Sequence, residues 1–213
     1  SGAMVNALGS LTVRGNGQLT VKNNSSAGTE EGAAATYRYV NTLKVMDDLL
    51  LTGNASLICS SSSAKAAVYV AGDAKVGADT GSAAPVLRIT NTGGSASGSV
   101  NDGMNVEGTL YVYSGELLVN TENSYAVRCK RVYNYGGVME LKCSPSSSYS
   151  IIKVAGRTYQ WRAYYENGYM ARAAELATVN TYTVRTDSYS QKDRTPPYDL
   201  LAGADSLWGQ ITG

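Results

Sequence analysis

Apolar and polar residues alternate along most of this chain, in short runs broken by Gly, Asn and Ser. Residues 11–21 read Leu-Thr-Val-Arg-Gly-Asn-Gly-Gln-Leu-Thr-Val, and residues 49–59 read Leu-Leu-Leu-Thr-Gly-Asn-Ala-Ser-Leu-Ile-Cys. Both place Gly-Asn between two apolar pairs, and residues 68–76 (Val-Tyr-Val-Ala-Gly-Asp-Ala-Lys-Val) repeat the form. A period of two predicts short β-strands, and the Gly-Asn centres predict turns. Helical period is nearly absent before residue 170. The glycines continue at Gly94, Gly115, Gly136 and Gly156, which gives steps of 38, 19, 22, 21, 21 and 20 from Gly15, with the first read as two units of 19. A fixed period of this kind means stacked repeats.

A unit of about 20 residues with two or three short strands cannot bury its apolar face alone, but stacked units close a core and pair each strand with the next. The expected fold is an all-β, right-handed parallel β-helix (β-solenoid) of about 20 residues per rung with a C-terminal cap; the alternative is a β-sandwich, whose strands recur at similar spacing. Val, Leu and Ile fill the interior in this reading. Small residues such as Ala66 and Ala67, and those at 33–35, fit its corners, and Asn or Ser recurring at one corner forms side-chain ladders. The Gly- and Ser-rich stretch 90–103 reads as a loop leaving the stack. Residues 1–4 read as an expression remnant, residues 5–158 as the solenoid, and residues 159–213 as a hairpin and cap. Within that last segment a Glu-Asn-Gly turn suggests a hairpin over 159–169, residues 170–177 one or two helical turns, and residues 181–186 a further strand.

Composition narrows the function classes. The 213 residues carry 18 Lys and Arg against 17 Asp and Glu, so a nucleic-acid partner, which needs a basic excess, is not expected. No apolar stretch reaches the roughly 20 residues that a membrane-spanning helix needs, and no membrane insertion is expected. Histidine is absent, which rules out a Ser-His-Asp or Cys-His arrangement. Cys59, Cys129 and Cys143 show no CxxC spacing; they read as small buried hydrophobes, with a Cys129–Cys143 disulfide as the alternative. Glycosidases need two carboxylates across the scissile bond, and the adjacent pairs Asp47-Asp48 and Glu30-Glu31 have no partner at a matching position one rung away. Arg128, Lys130 and Arg131 form a basic cluster whose ordinary reading is a solvated corner. No cofactor is expected, with calcium held by Asp73, Asp79 and Asp102, which are spread over loops, as the alternative, and the chain is read as no enzyme.

The remaining chemistry is aromatic, with 16 Tyr, 2 Trp and no Phe. Tyr111 and Tyr113 recur 22 residues later as Tyr133 and Tyr135, in the phase opposite to Leu110 and Val112. Alternation turns these four rings outward on consecutive rungs, where they offer a platform for the apolar faces of sugars or a cross-strand pair that stabilises the sheet. Trp161, with Tyr164 and Tyr165, is a second candidate.

The rungs at 11–21, 49–59 and 110–119 resemble the right-handed β-helix modules of bacterial cell-surface proteins of the carbohydrate-binding-domain-containing type. Residues 159–162, Tyr-Gln-Trp-Arg, with the Glu-Asn-Gly turn resemble a hairpin that follows such modules, and the likeness spans about residues 8 to 170. It implies a secreted or cell-surface protein of bacteria, part of a larger polypeptide, whose partner is a polysaccharide or a host or bacterial glycan. A passive stalk, and a polysaccharide lyase or hydrolase, are the competing readings.

Overall fold

The computed structural model describes residues 3–24, 40–78, 83–93, 101–122, 124–135 and 137–143, and the backbone of five further strands between residues 152 and 185. The described residues form strands and turns and no helix. The first rung is β1 (Ala3–Ala7), β2 (Leu11–Val13) and β3 (Gln18–Asn23), and the second is β4 (Asn41–Val45), β5 (Leu49–Leu51) and β6 (Ser56–Ser61). The third is β7 (Val68–Val70), β8 (Ala74–Val76) and β9 (Val86–Asn91), and the fourth is β10 (Met104–Val106), β11 (Thr109–Val112) and β12 (Glu116–Thr121). β13 (Val127–Cys129), β14 (Arg131–Asn134) and β15 (Val138–Cys143) complete the fifth. Each strand pairs in parallel with its counterpart one rung on, which makes three sheets: A from the first strands, B from the second and C from the third. Parallel neighbours need a long crossover, and here the rest of the rung supplies it. The fold is a parallel β-helix; a sandwich of antiparallel strands is excluded by these ladders.

Inward positions of all three sheets converge on one core. Leu43, Leu51, Leu57, Val68, Leu87, Leu110, Leu117 and Leu141 are fully buried. Each contributes about 1.5–3 kcal/mol by leaving water, which no single rung could collect alone. Cys59 and Cys129 are buried free thiols within this core, so the Cys129–Cys143 disulfide is not formed. Burial pushes the Cys59 thiol up to about 12 and that of Cys129 higher still, which keeps both protonated and unreactive.

The uniform 20-residue rung is corrected by the register. Leu11, Leu49, Ala74, Leu110 and Val132 stand in one column, at steps of 38, 25, 36 and 22 residues. The first step is thus one rung, not two. Strands stay constant while connections vary in length, because a corner loop can bulge into solvent without disturbing the ladders. The glycine series also mixes two corners. Gly15 and Gly53 stack at the turn between sheets B and C, both with positive φ. Gly72 instead lies between β7 and β8, its N–H donating to the Asp47 carbonyl at 3.1 Å; the positive-φ glycine at the corner between sheets B and C in that rung is Gly77, which by register follows Val76 as Thr52 follows Leu51. Gly94, Gly136 and Gly156 lie outside the described residues, as do residues 33–35 and Asp79.

The corner from sheet C to sheet A is polar inside. Asn23, Ser61, Asn91 and Thr121 stand in register and are buried. The expected Asn/Ser column therefore exists, and Asn91 and Ser61 in it bond to backbone. The Asn91 amide donates to the carbonyls of Lys65, Asn101 and Asp102 at 2.9–3.0 Å and accepts the Gly93 N–H. Ser61 Oγ likewise accepts the Ser63 N–H at 3.0 Å. Ala66 and Ala67 are buried at this corner, as expected. Thr90 and Asn91 end β9 and do not begin the loop.

Beyond the fifth rung, β16 (Ile152–Val154) extends sheet A in parallel, and β17 (Arg157–Tyr159) folds back antiparallel on it. β18 (Arg162–Glu166) and β19 (Tyr169–Ala174) form a hairpin with Glu166 opposite Tyr169; it spans 162–174 rather than the expected 159–169, because Tyr159 pairs with Ile152 as part of β17. β20 (Asn180–Arg185), close to the strand expected at 181–186, runs antiparallel to β15. Antiparallel strands thus end the ladders of sheets A and C in the manner of a cap. The helical turns expected over 170–177 are replaced through residue 174 by β19: on the hairpin, cross-strand pairing with β18 outweighs local helix preference.

Candidate functional site

The outer face of sheet B is set by alternation. In β11, Leu110 and Val112 are buried and Tyr111 is half-exposed; in β14, Val132 and Asn134 are buried and Tyr133 is half-exposed. Tyr113 and Tyr135 continue the outward phase past the strand ends, since their N–H groups still donate to Val76 and Val112 at 2.8 and 2.7 Å. Asn134 locks the turn that follows. Its side chain accepts the Gly137 N–H at 3.0 Å and donates to the Gly137 carbonyl at 3.1 Å.

The four rings form a two-by-two array. Along the solenoid, Tyr111 and Tyr133 lie 5.6 Å apart between centroids with planes 14° apart, and Tyr113 and Tyr135 lie 5.1 Å apart at 12°. Across it, Tyr111 to Tyr113 is 5.8 Å at 2°, and Tyr133 to Tyr135 is 6.2 Å at 23°. These are offset-parallel contacts in the favourable range for aromatic pairs. The array is therefore held by its own ring contacts as well as by the ladder, and it presents half-exposed carbon surface fringed by phenol hydroxyls.

Charged groups border it. Lys75 occupies the position before Tyr111 in the same outward column, with its ammonium 5.9 Å from the Tyr111 centroid and 3.9 Å from Asp48. The Asp48 carboxylate also accepts the Asp73 N–H at 2.8 Å, and the Asp73 carboxylate accepts the Thr109 N–H at 2.8 Å. Two acids are thereby committed to one corner's backbone, and Asp47 accepts the Ser10 hydroxyl at 2.7 Å. Lys75 was invisible as a site residue in the sequence. It precedes Tyr111 by 36 residues, and only the register puts the two together.

The basic cluster divides. Arg128 turns to Asp102, with Nε donating to the carboxylate at 2.7 Å, and its guanidinium lies 5.0 Å from the Tyr125 ring centre. Asp102 is fully buried and also accepts the Ser124 hydroxyl at 2.5 Å. Burial raises its carboxyl above the ordinary value, against the opposing pull of Arg128 and Ser124. Lys130 and Arg131 are exposed, and Arg131 begins β14 on the face that carries Tyr133 and Tyr135.

Asp73 and Asp102 serve different corners, and no group of three His, Cys, Asp or Glu side chains gathers among the described residues. On the outer face of sheet C a shallow groove of about 360 Å³ is lined by residues including Arg88, Leu118, Asn120, Glu140 and Lys142. Among the described residues that line it Glu140 is the one carboxylate, and it pairs with Lys142, so these residues do not set two acids facing across a substrate. Trp161 and the side chains of Tyr164 and Tyr165 lie outside the described residues. Comparison of the chain with family models, curated proteins and solved structures finds no match.

Proposed function

We propose that this chain is a non-catalytic, extracellular glycan-binding or adhesive module of a bacterial surface protein. The observation that supports the reading is the tyrosine array on sheet B. Four near-parallel, half-exposed rings on a rigid scaffold offer apolar area for the C–H faces of sugar rings, and their hydroxyls offer hydrogen bonds at the rim. Strand-borne rings are pre-organised, so little side-chain entropy is lost when a polysaccharide settles on them. The non-catalytic part of the reading rests on the absence of histidine and on the commitment of Asp47, Asp48, Asp73 and Asp102 to protein partners.

A glycan array of the wild-type chain and of the Tyr113→Ala/Tyr135→Ala variant tests it. Binding of a defined glycan set is expected, with at least a tenfold loss in the variant. A blank array for the wild type contradicts it and favours a passive stalk, a role that an uninterrupted stack of rungs would also serve. Release of new reducing ends from a bound polysaccharide would sink the non-catalytic reading.

A further inference from the structure

The groove on the outer face of sheet C lies apart from the tyrosine array. Register sets its outward columns. Arg88, Leu118 and Glu140 stand in one column, and Thr90, Asn120 and Lys142 stand in the next, two residues further along the strands. All six line the groove of about 360 Å³, a volume at the small end of ligand clefts. Leu118 is half-buried and makes an apolar floor between a guanidinium on one side and a carboxylate on the other. Among the described residues, the side chains of Arg88, Thr90 and Asn120 make no hydrogen bond or ion pair. Lys142 pairs with Oε1 of Glu140, which leaves Oε2 as an open acceptor. Glu116 stands opposite Val86, diagonal to Arg88. Two bases therefore face two acids around the groove, and its charge favours a neutral ligand.

From this, and resting on the glycan-binding reading for the kind of molecule, we propose that the groove is a second binding site, one that receives the acetamido group of an N-acetylhexosamine. A trans amide is planar and turns its carbonyl oxygen and its N–H to opposite sides. With one hydrogen bond of about 2.9 Å on each side, it spans roughly 8 Å. Arg88 and Glu140 stand two strands apart in one column, about 10 Å between their backbones, and their long side chains close the difference. Arg88 donates to the acetamido carbonyl, Oε2 of Glu140 accepts the N–H, and the methyl group rests on Leu118. Thr90 and Asn120, about 6.6 Å further along the strands, offer a hydroxyl and an amide to the hydroxyls of the sugar ring. A hexose with a plain hydroxyl at that position lacks both the methyl group and the two-sided reach, so it leaves these groups unmatched.

Chitotriose and cellotriose share one neutral β-1,4-linked backbone and differ only by acetamido against hydroxyl. Each is titrated into the full chain and into its Arg88→Met, Glu140→Met and Tyr113→Ala/Tyr135→Ala variants. N-acetylalanine methylamide supplies the same amide without a sugar. The wild type should bind chitotriose about tenfold more tightly than cellotriose. In each Met variant that preference should fall to about threefold or less; both replaced side chains point outward, so the fold is kept. The Tyr variant should keep the preference, since its rings belong to sheet B. Equal binding of the two sugars by the wild type, a preference unchanged in either Met variant, or its loss in the Tyr variant overturns the assignment and leaves the tyrosine-array reading standing. Binding of the blocked amino acid as tightly as chitotriose also overturns it, and gives the groove to peptide. Failure to bind chitotriose removes the groove site, and only a blank glycan array beside it removes the broader reading.

Discussion

A methyl group added at Gly115 would sit 2.1 Å from the carbonyl oxygen of Pro85, at a φ of +76°. Both faults lie in backbone, which cannot step aside as a side-chain tip would. Gly115→Ala is therefore expected to cost about 2 kcal/mol or more. Gly17, two residues after Gly15 at the same corner of the first rung, has nothing within 4 Å of an added methyl. Gly17→Ala should fall within about 0.5 kcal/mol of wild type, and urea unfolding of the two variants checks the contrast. Asp102 carries the pH dependence. Its folded carboxyl is raised above the ordinary value by burial, so the native state holds that proton more tightly than the unfolded chain does. Its contribution is thus largest below the unfolded value and declines as pH rises through the folded one. The stability of wild type relative to Asp102→Asn should fall as pH rises from below the ordinary carboxylate range through the raised folded value, as read by denaturant unfolding at each pH; a difference that grows with pH would contradict it. Sequence shows that Gly and Asp sit in turns. It does not show which glycine meets a neighbouring rung or which aspartate is buried, because both depend on what lies one rung away.

Strands were the most legible elements. Alternation locates β2 and β5 and the first four residues of β3 and β6 within the segments 11–21 and 49–59, since inward Leu and Val must recur every second residue to reach a shared core. Register was less legible. The connection after β3 makes the first step 38 residues, and that distance imitates two shorter rungs. The tyrosine array escaped this ambiguity because β11 and β14 belong to the tightest step of the sheet B column, 22 residues, where the connection from β12 to β13 is short. Lys75 stayed hidden for the converse reason. The polar corner is where elements depend most on one side chain. Asn91→Ala would leave three backbone carbonyls and the Gly93 N–H without the amide that serves them. The expected loss is about 2–4 kcal/mol, measured by thermal or urea unfolding, whereas Asn120→Ala, exposed on the adjoining strand, should be near neutral.

At the scale of the whole molecule, the solenoid turns a one-dimensional sequence pattern into columns. Each outward column is a surface strip whose chemistry is chosen rung by rung, and on sheet B the strip passes from Thr12 and Leu50 through Lys75 to Tyr111 and Tyr133. Placing function on such a strip requires only that outward residues match across rungs, since inward ones are already fixed by the core. The glycan reading therefore stands on four of the 16 tyrosines. The direct measurement is NMR of protein labelled at the tyrosine rings, titrated with oligosaccharides cut from the array-positive glycans. Shifts concentrated in Tyr111, Tyr113, Tyr133 and Tyr135 are predicted, with the other rings nearly unmoved. Movement of other tyrosines while these four stay fixed, or no movement of any ring across the oligosaccharide set, would contradict it.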